Sequence, residues 1–124
     1  MQVKTDTKEK FHVITVKSQE LTADMSAELA DLVLPILQND VRNLILNLKE
    51  LQHIDESSGE MLVNTQQKFY ESNASFVICE LQKTVEAFLD EKKLLELLNI
   101  TPTQSEASDV VLMEEIEREL LDGL

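Results

Sequence analysis

Apolar and polar positions along this chain change their spacing several times, and each change marks an element. Residues 2–6 and 11–17 (FHVITVK) read as two strands, the second rich in the β-branched Val, Ile and Thr that suit a pleated surface. The polar residues 7–10 between them predict a hairpin turn. From Leu29, apolar residues fall at 29, 32, 33, 36 and 37, the stripe of an amphipathic helix, and Asn39-Asp40 ends it. Pro35 inside that stripe removes a backbone donor and predicts a kink in the last turns. Residues 41–48 (VRNLILNL) are almost continuously apolar, as in a covered strand near the centre of a sheet. After Lys49-Glu50 comes 51–55, and Ser57-Ser58-Gly59-Glu60 then leads into a helical stretch carrying Met61, Leu62, Phe69 and Tyr70.

Residues 74–80 (ASFVICE) form the next expected strand, with Cys79 or Val77 buried on one side. Helical patterns resume at Val85, Phe88 and Leu89, then at Leu94, Leu95, Leu97 and Leu98. Residues 100–103 read as a short extended piece, because Pro102 biases Thr101 away from the helical region. Thr103 and Glu106 have capping-box spacing and open a final helix whose apolar positions are Val110, Met113, Ile116 and Leu120. Strands alternating with helices after an initial hairpin predict an α/β fold: right-handed crossovers and a mixed, mostly parallel sheet.

Length, composition and charge narrow the function classes. A chain of 124 residues with two Gly, two Pro and no low-complexity stretch has room for one domain, and no linker or repeat is visible. No apolar run approaches a membrane span, and residues 1–10 lack the apolar segment of a secretory signal, so a cytoplasmic protein is expected. One Cys and two His make a poor metal set, and no metal or cofactor is expected. Eleven basic against twenty-four acidic residues give a net charge of −13, which argues against nucleic acid and anionic membranes as partners. Residues 105–124 hold seven of the acids and one base, Arg118; the plainest reading is a solvated helix face.

The cluster that stands out is His53-Ile54-Asp55-Glu56-Ser57-Ser58-Gly59-Glu60, where a buried segment hands over to a helix. In parallel α/β sheets, ligand and chemistry sites gather at such ends. Ser57 and Glu60 have capping-box spacing, so a helix cap explains them without any function. A serine at a helix start also has free backbone N–H groups and the positive dipole end beside it, which would stabilise an attached phosphate. No catalytic residues are expected: there is no nucleophile elbow for His12 or His53 to serve and no phosphate-binding glycine loop, the only glycines being Gly59 and Gly123.

From about residue 11 to residue 121 the chain resembles the STAS domains, in particular the bacterial anti-sigma factor antagonists. The resemblance rests on the strand VRNLILNL followed by Leu51, Ile54, Asp55 and the Ser57-Ser58-Gly59 cluster, and on the spacing from Asp55 to Phe76-Val77-Ile78. The tail Ile100-Thr101-Pro102-Thr103 with Glu106-Ala107, Met113-Glu114-Glu115 and Glu117-Arg118 is similar to a Bacteroidetes-type subset. The resemblance implies a single STAS domain over residues 1–124, with helices mainly on one face of the sheet. It also implies a regulatory, non-enzymatic role. The antagonist binds an anti-sigma factor that is also a serine kinase, is released when that kinase phosphorylates it, and is reset by a phosphatase.

Two departures from the family pattern bear on the site. The family motif reads Asp-Ser-Ser-Gly, whereas this chain has Asp55-Glu56-Ser57-Ser58-Gly59. Anchored on Asp55, the phosphoacceptor is Ser57; anchored on Gly59, it is Ser58; the ungapped downstream spacing favours Ser57. Thr22, in Glu20-Leu21-Thr22, stands where many relatives have an aspartate. The partner-binding residues implied are therefore Asp55, Glu56, Ser57, Ser58, Gly59 and Thr22.

Overall fold

In the computed structural model, which describes residues 1–123, β1 (Val3–Thr7) and β2 (His12–Val16) form the expected antiparallel hairpin, with Val3 opposite Val16 and Thr7 opposite His12. The chain then makes a two-residue strand, β3 (Glu20–Leu21), and enters α1 (Ala23–Val33). This helix starts six residues before the apolar stripe, and it buries Ser26, Leu29 and Val33 while Leu32 faces outward. Pro35 produces no kink within α1. It sits near the start of a separate 3-10 turn, Leu34–Gln38, where its missing N–H costs little.

β4 (Leu44–Asn47) pairs parallel with β2, His12 facing Leu44. It is shorter than the expected 41–48, and Asn43 just before it donates from Nδ2 to the Lys10 carbonyl and accepts at Oδ1 from the Ser75 N–H. After the two-residue β5 (His53–Ile54) comes α2 (Glu56–Glu71), then β6 (Phe76–Cys79), which pairs parallel with β4. Helix α3 (Lys83–Glu91), a 3-10 turn at Leu95–Leu97, and β7 (Ile100–Thr101), parallel to β6, lead to α4 (Gln104–Asp122). The sheet order is β1-β2-β4-β6-β7, mixed and mostly parallel as expected, while β3 and β5 form a separate two-stranded parallel pair.

Period-two alternation divides the core into two layers. Ile14, Val16, Leu44, Leu46, Phe76 and Ile78 pack with Leu29, Leu62, Phe69, Val85 and Leu89 of α1, α2 and α3. Val13, Ile45, Val77 and Cys79 point the other way, toward Ala107 and Val111 of α4. Three helices thus share one face and one helix takes the other. The rings of Phe69 and Phe76, 5.3 Å apart, fasten α2 to β6.

The last helix begins where the Thr103–Glu106 spacing put it: Thr103 Oγ1 accepts from the Glu106 N–H at 3.1 Å, and Glu80 Oε2 accepts from the Gln104 N–H at 2.8 Å. Its orientation corrects the sequence reading. Met113, Ile116 and Leu120 face solvent, and Glu114, Glu115 and Arg118 turn toward the sheet. Arg118 donates to Asn43 Oδ1 (3.1 Å), Ser75 Oγ (3.1 Å) and Glu115 Oε2 (2.9 Å); Asn43 Nδ2 donates to Glu115 Oε2 at 3.0 Å, and Ser75 Oγ donates to Glu114 Oε1. This network satisfies polar groups at the amino ends of β4 and β6, so Glu114 and Glu115 are not mere solvated surface. The Arg118 guanidinium and the Asn43 amide donate to Glu115 and hold its carboxyl below the ordinary 4.5.

Candidate functional site

The expected site residues converge where α1 and α2 begin, and Asp55 joins the two helices. Asp55 is the N-cap of α2: its Oδ1 accepts from the Ser58 N–H at 2.8 Å. Its other oxygen, Oδ2, accepts from the Ala23 N–H at 3.0 Å, in the first turn of α1. Thr22 occupies the N-cap position of α1 but its side chain makes no capping bond, so Asp55 supplies that function from 32 residues away. The expected Ser57–Glu60 capping box is therefore replaced by an Asp55–Ser58 cap. An aspartate is as good a cap as a serine and adds a favourable charge at two positive helix ends.

The paired strands β3 and β5 set this spacing. Leu21 and Ile54 lie in register, and the Leu21 carbonyl accepts both the Asp55 N–H at 3.2 Å and the Ser58 hydroxyl at 3.1 Å. The Ser58 and Ala23 amides donate to the Asp55 carboxyl and hold it below the ordinary 3.8. Sequence reasoning did not identify Leu21 or Ala23, because a carbonyl and an amide carry no side-chain signature. The only trace was the Glu20-Leu21-Thr22 correspondence.

The two serines differ sharply. Ser58 is fully buried and committed to Leu21. Ser57, one residue earlier on the helix, is exposed, and the Glu56 and Ser57 amides have no intramolecular partner among the described residues. Glu56 is exposed and lies 3.6 Å from Lys92, while Glu60 is exposed on the next turn. Gly59 is buried: a Cβ there would stand 2.8 Å from Leu94 Cδ1 and 3.0 Å from Leu89 Cδ2, so glycine permits the close approach of α2 to α3 and the segment after it. Ser57 also borders a groove of about 400 Å³ between α1 and α2, lined in part by Ala23, Ala27, Ala30, Met61 and Asn64. His53 is exposed on β5 and takes no part. Among the described residues there is no cluster of His, Cys, Asp and Glu fit to hold a metal, and no helix is long and apolar enough to cross a membrane.

The comparison that decides the family is a match of residues 2–107 to the STAS domain model. The chain belongs to the STAS domain family. No curated protein sequence matches it. Among solved structures, an anti-sigma factor antagonist from Thermotoga maritima is 21% identical, with a TM-score of 0.74 over 88% of this chain and 93% of that one. The anti-sigma factor antagonist SpoIIAA in its unphosphorylated form is 19% identical, with a TM-score of 0.70 over 89% and 96%. The phosphorylated form of the Bacillus protein gives 17% and 0.65 over 89% and 99%. A sulfate transporter family protein from Wolinella succinogenes is 12% identical, with a TM-score of 0.67 over 90% of each chain. At these identities the likeness shows a shared STAS fold. It does not by itself carry any relative's partners to this chain.

Proposed function

We propose that this STAS protein is a non-catalytic cytoplasmic regulator of the anti-sigma factor antagonist kind, built as one domain over residues 1–124. It docks through the α1–α2 junction on an anti-sigma factor with serine kinase activity. That kinase phosphorylates Ser57, the complex separates, and a phosphatase restores binding. Asp55, Glu56, Ser58, Gly59 and Thr22 form and border the docking surface around the acceptor. The observation that carries this reading is the contrast between the two serines: an exposed Ser57 in the first turn of α2 beside a fully buried Ser58.

The physics supports a switch at this position. Unpaired amides and the positive end of α2 favour a phosphate on Ser57 within the free protein. In the docked state, a group of about −1.5 to −2 charge would be desolvated beside Asp55, Glu56 and Glu60. The same charge thus stabilises the free protein and destabilises the complex.

A second reading, an accessory subunit that docks constitutively on a transport or lipid-trafficking ATPase, is favoured by Glu56, which already places a charge beside Ser57, and by the transporter-family neighbour. The test is incubation with ATP and the serine kinase encoded nearest to this protein's gene, followed by phosphopeptide mapping. One phosphate on Ser57 is expected. A phosphate on Ser58 would refute the acceptor assignment. No incorporation by a kinase active on another substrate, together with copurification of an ATPase, would favour the accessory-subunit reading.

A further inference from the structure

We propose that the outer face of α4 is a second docking surface, and that its occupant is a helix of a partner protein carrying Lys or Arg beside its own apolar stripe. Among the described residues, five of the nine exposed large apolar side chains lie on this helix: Leu112, Met113, Ile116, Leu120 and Leu121. Leu112, Ile116 and Leu120 recur every four residues with Met113 alongside, a continuous stripe on the side away from Ala107 and Val111. Ile116, Leu120 and Met113 are 55%, 66% and 61% exposed, so this is not a grazed edge of the core. A stripe at helical spacing is the surface an amphipathic helix covers.

Charge selects the occupant. Glu106, Asp109, Glu117 and Glu119 are all exposed on the same helix and border the stripe. The only base of residues 105–124, Arg118, is turned inward to Asn43, Ser75 and Glu115 and cannot neutralise them. Among the described residues, the only cation within 4.0 Å of these carboxylates is Lys10, 3.9 Å from Glu119. A second copy of the chain would set this acidic rim against itself, and an anionic membrane surface would be repelled. A cationic amphipathic helix matches both features. Because α4 lies on the opposite sheet face from α2, this surface is separate from the one around Ser57 and can be occupied independently of it.

The test uses a fluorescent Leu/Lys peptide of roughly five turns with Leu at helical spacing, beside a peptide of the same composition in scrambled order. Titration is followed by anisotropy and by amide chemical shifts of the protein. The patterned peptide is expected to bind about tenfold or more tightly than the scrambled one, with shifts confined to α4. Ile116→Ser combined with Leu120→Ser, which removes no charge and no core contact, should lower the affinity about tenfold. Glu117→Gln should weaken binding only at low salt. Equal affinity for the two peptides, shifts centred on α2, or unchanged binding by the double variant would each overturn the proposal. A concentration-dependent dimer abolished by the double variant would identify a second copy as the occupant and likewise overturn it.

Discussion

Replacing Asp55 with alanine removes one carboxylate from two helix starts at once. The lost bonds are the Ser58 N–H to Oδ1, 2.8 Å, and the Ala23 N–H to Oδ2, 3.0 Å. Loss of an N-cap costs about 1 kcal/mol, and both amides lie near enough to water to recover part of their solvation, so the expected cost is about 2 kcal/mol. For a domain of this size the urea slope is about 1–3 kcal/mol/M, which turns that cost into a fall in midpoint of about 1 M. Asp55→Asn keeps one acceptor oxygen and loses the charge at both dipoles, and should cost about half as much.

The pH dependence follows from the lowered carboxyl pKa. A group whose folded pKa lies below its unfolded 3.8 contributes stability that is fully present above 3.8 and lost as pH falls through the folded value. The gap between wild type and Asp55→Asn should therefore be full at neutral pH and shrink below pH about 4. Urea titrations of the three proteins at neutral and acid pH make the test. Equal stability of wild type and Asp55→Ala, or a gap independent of pH, would refute the two-helix role.

Three further outcomes follow from the same geometry. Ser57→Ala should leave stability within about 0.5 kcal/mol of wild type, since Ser57 caps nothing, while Ser58→Ala should cost about 1 kcal/mol through the lost bond to Leu21; thermal melts separate them. Glu115→Gln should destabilise by about 1 kcal/mol at neutral pH, an effect that fades as pH falls below the usual 4.5, whereas Glu117→Gln should change stability little; paired denaturant curves at two pH values test this. Burial, with Glu80 adjacent, pushes the Cys79 thiol up to about 12, so a thiol reagent at mildly alkaline pH should label it only as fast as the protein unfolds.

The elements legible in the sequence were those whose spacing reports a local pattern: the β1–β2 hairpin, the buried strands β4 and β6, and the Thr103 cap of α4. What escaped depends on partners remote in sequence. The two-residue strands β3 and β5 exist through their pairing with each other, and α1 starts at Ala23 because Asp55, 32 residues later, accepts from its amide. Ser57 and Asp55 both stood near a helix start with capping chemistry, and only the position of Leu21 selects Asp55. The stripe of α4 was visible but not its direction. Asn43 and Ser75 need polar partners at the amino ends of their strands, and this turns Glu114, Glu115 and Arg118 inward and the larger apolar residues out.

The most direct test of the account is calorimetric titration of the cognate anti-sigma kinase with wild type, Ser57→Ala and Ser57→Asp. An aspartate in the first turn of α2 favours the helix, so loss of binding could not be assigned to unfolding. The account predicts near wild-type affinity for Ser57→Ala and a fall of at least about tenfold, roughly 1.4 kcal/mol, for Ser57→Asp. Equal affinities for wild type and Ser57→Asp would contradict the claim that charge at Ser57 governs docking.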